Sequence, residues 1–93
     1  MTISIIKQNE DVFTVKVTND VSTSHTVTIT NESLTDLTDN NVTKAQLLEF
    51  SVNFLLQREP NTSILSSFDI NVISRYFSDY RDEVRRWCNE SQN

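Results

Sequence analysis

The sequence predicts an α+β fold, a three-stranded antiparallel β-meander over about residues 2–30 followed by two or three helices packed on one of its faces. Two observations carry this expectation. Apolar residues alternate with polar ones up to Ile29, the period of a half-buried strand, and beyond Thr43 they recur every three to four residues, the period of an amphipathic helix. A chain of 93 residues lies below the length at which a second hydrophobic core forms, so one domain over 1–93 is expected.

The strands come first. Ile3 and Ile5, then Phe13, Val15 and Val17, then Val27 and Ile29 share one parity, and Thr14, Lys16, Thr18, Thr26, Thr28 and Thr30 hold the other. Asn9-Glu10-Asp11 and Asn19-Asp20 separate the runs with short polar side chains that hydrogen-bond their own backbone, as hairpin connections require. Average usage would place about six glycines in a chain of this length. It has none, so any positive φ must fall on an Asn or Asp, with Asn9, Asn19, Asn31 and Asn40 the candidates.

Asn31 to Asn41 reads as a polar connector. Thr43 and Gln46 then form a capping box, with Val42 and Leu47 placed as a hydrophobic staple, and open a helix over about 44–58. Its apolar face is wide, because Leu47, Phe50, Phe54 and Leu56 flank the stripe of Ala45, Leu48, Val52 and Leu55. Pro60 disfavours helix at Glu59 and ends it. Asp69 caps a short helix over about 69–77. A last helix over about 79–88 turns Tyr80, Val84 and Trp87 to one side, and Asn89 to Asn93 are expected to fray.

The segment Phe54-Leu55-Leu56-Gln57-Arg58-Glu59-Pro60, running on through Phe68-Asp69-Ile70 to Tyr76-Phe77, resembles a family of small uncharacterised prokaryotic proteins with a Leu-Leu-x-Arg-Glu-Pro signature. The likeness covers about a third of the chain. It implies a strand-rich N-terminus followed by helices, and carries over no catalytic residue. Ser78 stands where that pattern has proline, and the hairpin turns lack glycine. Read physically, Arg58, Glu59, Pro60 and Asp69 make a helix-loop-helix corner: the proline stops one helix, the aspartate caps the next, and the charged pair fixes the loop between them.

Chemistry is sparse. Without glycine, the usual phosphate loops, dinucleotide fingerprints and nucleophile elbows cannot form. His25 has no second histidine to share a metal, and its parity makes it a structural residue. Cys88 has no identifiable base and reads as an inert thiol. Asp36 and Asp39 lack the ligand pattern of a calcium loop, and the sequons at Asn31, Asn41, Asn61 and Asn89 read as chance in an Asn/Ser/Thr-rich chain. No catalytic set, metal or cofactor is expected.

No stretch approaches the roughly 20 apolar residues of a membrane span. With one cysteine and no export signal, the expectation is a cytoplasmic protein. The net charge is −5, divided as −4 over residues 1–42 and −1 from Thr43 onward, where all five arginines lie. Arg75, Arg81, Arg85, Arg86 and Trp87 are the candidate partner-binding residues. Asp82 is spaced to pair with Arg85 or Arg86 on the last helix. The leading expectation is a non-enzymatic protein that binds another protein, including a second copy of itself, through the wide face of helix 44–58 or an uncovered sheet edge. The alternative is an antitoxin-like or other nucleic-acid-associated regulator using the arginine-bearing last helix. The acidic net charge disfavours nucleic acid as a partner.

Overall fold

Alternation builds the sheet. In the computed structural model, which describes residues 2–91, strands β1 (Thr2–Lys7), β2 (Val12–Thr18) and β3 (Ser22–Thr28) form the expected antiparallel meander. Phe13, Val15, Val17, His25 and Val27 are buried on one face, whereas no residue of the other face is buried. The Asn9 side chain closes the first turn by accepting from the amides of Asp11 and Val12, both at 2.9 Å.

The sheet has a fourth strand that the alternation does not signal. Strand β4 (Ser67–Asp69) pairs in parallel with β3, Phe68 opposite Val27, so the order is β1-β2-β3-β4 and the sheet is mixed. This corrects the three-stranded expectation. Asp69, expected to open a helix, is instead the last residue of β4, and its carboxylate accepts from the Asn71 amide at 2.9 Å just before a shorter helix.

Among the described residues four helices complete the fold, against the two or three expected: α1 (Asn31–Thr38), α2 (Lys44–Leu56), α3 (Val72–Tyr76) and α4 (Tyr80–Ser91). The supposed connector is therefore largely helical. Thr30 caps α1 by accepting from the Ser33 amide, Glu32 favours its N-terminal dipole, and Leu37 and Thr38 face inward. Helix α1 ends in two left-handed residues, Asp39 (φ 54°) and Asn40 (φ 62°). These are the described non-glycine residues with positive φ, so of the four asparagines proposed for that role only Asn40 has it. Helix α2 ends two residues earlier than expected. Helix α4 continues through Asn89 and Glu90 to Ser91, past the expected fraying point, and Gln92 and Asn93 lie outside the described residues.

The capping box of α2 is present: the Thr43 hydroxyl accepts from the Gln46 amide at 3.1 Å, and the Gln46 side chain accepts from the Thr43 amide at 2.9 Å. Thr43→Ala is expected to cost about 1 kcal/mol. An unchanged urea midpoint would show that the cap contributes nothing.

The buried apolar residues form one cluster that joins the inner face of the sheet to Leu37, Leu47, Leu48, Val52, Ile73, Tyr80 and Val84 from all four helices. At its centre the fully buried Tyr80 hydroxyl donates to Ser51 Oγ, which itself donates to the Leu47 carbonyl at 2.7 Å. Burial holds the Tyr80 phenol above its ordinary value. The folded state thus favours the neutral phenol. The stability this contributes is fully present below about pH 10, the ordinary tyrosine value, and is lost as pH rises above it.

Candidate functional site

The wide apolar face of α2 is filled from within. Phe54 meets Tyr80 and Phe77 edge-on, at centroid distances of 5.2 and 5.8 Å, and Phe50 stacks on Trp87 at 4.6 Å. On α4 the buried stripe is Tyr80, Val84 and Cys88, with Trp87 half-buried beside it. Trp87→Ala is therefore expected to cost about 2 kcal/mol rather than the 3 or more of a fully buried indole. Native emission should lie between buried and free tryptophan, and a free-tryptophan spectrum would mean the stack does not persist in solution.

A groove of about 350 Å³ opens at the far end of α2. Its walls come from three places: Leu55 and Glu59 at the helix end, Ile64, Leu65 and Phe68 from the loop and β4, and Ile73, Tyr76 and Phe77 around α3. Tyr76 is 70% exposed and Leu65 47%, two of the most exposed large apolar side chains among the described residues. Glu59 is the one ionisable carboxylate lining the groove. It is half-buried, and its side chain makes no hydrogen bond or ion pair with the described residues.

The loop between Pro60 and β4 forms one wall, and a buried polar chain holds it in place. Pro60 precedes a 3-10 turn at Asn61–Ser63. Asn61 Nδ2 donates to the Val21 carbonyl at 2.8 Å and to Thr23 Oγ1 at 3.0 Å. His25 Nδ1 lies 2.8 Å from the Leu65 carbonyl, and Nε2 lies 2.8 Å from Thr23 Oγ1. A carbonyl only accepts, so Nδ1 carries a proton, and in the neutral imidazole Nε2 then accepts from the Thr23 hydroxyl. Asn61, Thr23 and His25 thus form a continuous donor chain from the loop into β3. Asn61 is itself buried, and its sequence context, a formal sequon, gave no sign of this role.

Arg58 does not hold this loop. Its guanidinium lies 3.5 Å over the Phe54 ring, donates to the Phe54 carbonyl at 3.1 Å and bridges Asp79 at 2.8 Å. It ties the end of α2 to the start of α4, with the cation over the aromatic face contributing more than the exposed ion pair. Of the residues read as a corner, Pro60 precedes the turn, Asp69 closes β4, and Glu59 points its chemistry into the groove.

The arginines do not converge on one basic face. Arg81 pairs with Asp36 of α1 at 2.8 Å, and Arg85 lines a shallow depression with Asp36, Asp39 and Cys88. Arg86 pairs with Glu83 at 3.1 Å, in place of the expected pairing with Asp82. Arg75 is exposed in the last turn of α3. An anion approaching Arg81 or Arg85 would compete with the carboxylates of Asp36 and Asp39. Burial, and then the Asp39 carboxylate, push the Cys88 thiol above its ordinary value, which keeps it protonated and weakly nucleophilic. Among the described residues no helix is long and apolar enough to cross a membrane. Compared with protein-family models, curated proteins and solved structures, the chain matches none of them.

Proposed function

We propose that this is a non-enzymatic protein-binding module whose groove takes an apolar segment of a partner protein bearing a lysine or arginine. The observation that carries the reading is the combination in one concavity of exposed Leu65 and Tyr76 with an unpaired, half-buried Glu59. An apolar floor with a single convergent charge fixes a partner's orientation, and a partly desolvated carboxylate selects a cation. The net charge of −5 works in the same direction, since it draws basic segments and repels acidic ones.

The test uses two synthetic amphipathic helical peptides of about 12 residues, identical in their leucine face and differing only in lysine or glutamate beside it. The lysine peptide is expected to bind several-fold more tightly, read by fluorescence anisotropy at low salt. Glu59→Gln should remove most of the preference, leaving only what the remaining net charge supplies. Tyr76→Ser with Leu65→Ser should weaken both peptides at least tenfold, about 1.4 kcal/mol. Equal binding of the two peptides, or affinity that ignores the groove substitutions, overturns the assignment.

A further inference from the structure

We infer that two copies of this chain pair antiparallel along the outer edge of β1, Ser4 against Ser4 on a two-fold axis, to make one continuous eight-stranded sheet. The inference is independent of the groove and rests on the edge itself. Strand β1 ends the sheet, and among the described residues only β2 pairs with it. An edge strand is an open template unless it is guarded by proline, a bulge, inward charge or a covering element. Thr2 to Lys7 pair with Thr18 to Phe13 without a register break and contain no proline; their one charge, Lys7, has the inward parity but stands at the strand's end, outside the Thr2–Ile6 stretch that would meet the second copy.

The register follows from parity. The Gln8 amide donates to the Val12 carbonyl at 2.9 Å, so Gln8 turns its backbone toward β2. Even-numbered residues of β1 do likewise, because backbone direction alternates along a strand. The amides and carbonyls of Ile3, Ile5 and Lys7 consequently face outward. A second copy that keeps its helices on the same side of the sheet must match odd with odd. Centring on Ser4 meets this condition: Ile3 and Ile5 of one copy exchange backbone hydrogen bonds with Ile5 and Ile3 of the other.

That register also covers apolar surface the monomer leaves in water. Ile3 and Ile5 touch the core yet remain only half-buried, and Ile6 on the opposite face is 44% exposed. Around the axis Ile3 packs beside Ile5 of the second copy on the helix face, and Thr2 meets its Ile6 on the other. Centring on Ile5 instead would set Ile3 against Lys7, placing a charge on the apolar side. A six-residue edge falls short of the roughly 1,600 Å² of a standard interface, so association in the micromolar range or weaker is expected.

Ser4→Glu separates edge pairing from folding. Within one chain Ser4 lies opposite Lys16, so the new carboxylate faces a cation and the monomer keeps its fold. Across the axis two carboxylates meet about 5 Å apart, which should weaken the dimer tenfold or more. Sedimentation equilibrium of the full chain from 5 to 500 μM is expected to show a monomer–dimer equilibrium for the wild type, shifted to monomer by Ser4→Glu. Mild oxidation of Ser4→Cys should give a disulfide-linked dimer, since directly opposed Cα atoms in such a pair lie about 4.5 Å apart. Cys88 is buried and stays out of this reaction. Lys16→Cys, one strand inward on the same face, should not cross-link. A strictly monomeric wild type at 500 μM, a dimer indifferent to Ser4→Glu, or cross-linking at Lys16→Cys but not at Ser4→Cys each overturns the inference.

Discussion

Tyr80→Ala is expected to remove about 4 kcal/mol of folding stability, enough to leave a domain of this size close to unfolded at 37 °C. The ring is wholly buried, packs edge-on against Phe54, and ends in a hydroxyl that reaches Ser51 inside α2. Truncation therefore opens a cavity where α2 and α4 meet. It also removes the donor to Ser51, although Ser51 keeps its own bond to Leu47. Tyr80→Phe isolates the hydroxyl and should cost about 1 kcal/mol.

The pH dependence separates the wild type from Tyr80→Phe further. Because the folded state holds the Tyr80 phenol neutral, the wild type should lose stability steeply above about pH 10, and Tyr80→Phe should lose less. Urea midpoints of both proteins at pH 8 and pH 11 check this. A Tyr80→Ala midpoint corresponding to a loss below 1 kcal/mol, or equal alkaline slopes in the two proteins, would mean that Tyr80 is not the centre of the helical layer.

What could be read from the sequence follows from how far each signal extends. The meander was legible because its parity holds through β2 and resumes at Val27 and Ile29, and α2 because Thr43 and Gln46 spell its start. Helix α1 was not. It has eight residues, only Leu34 and Leu37 to mark a face, and a composition of Ser, Thr, Asn and Asp that favours turns in isolation; its burial against α4 supplies what propensity does not. Strand β4 has three residues and one apolar side chain, too short for any period to show.

The groove illustrates the same limit. Glu59, Phe68, Tyr76 and Phe77 all stood in the segment singled out from the sequence, but as a corner, because nothing local reveals that the loop folds back along β3. On α4, spacing alone could not decide between Trp87 and Cys88 for the buried stripe. The stack with Phe50 depends on where α2 lies, and that is a tertiary fact.

His25→Ala is expected to cost about 3 kcal/mol and to loosen the groove as it does so. The imidazole is 4% exposed and bonded at both nitrogens, to the Leu65 carbonyl on one side and the Thr23 hydroxyl on the other. Removing it opens a buried site and leaves the partly buried Leu65 carbonyl without its donor and the Thr23 hydroxyl without one of its two partners. The same loop is pinned a second time by Asn61, so the two side chains act on one element from its two ends. Asn61→Ala alone should cost about 2 kcal/mol, and the double variant less than the sum, since once the loop is released by one change the other has less to lose. The effect should also be local. The amides of Thr26 and Ile70, which donate to Ser66 and Thr28 across the parallel β3–β4 pair, should exchange with solvent much faster in His25→Ala, while those of the β1–β2 pair change only in step with global stability. Peptide affinity at the groove should fall with the faster exchange, because Ile64, Leu65 and Phe68 no longer hold their wall. Uniform acceleration across the whole sheet would refute this account and make His25 a general core residue instead of the fastening of the loop.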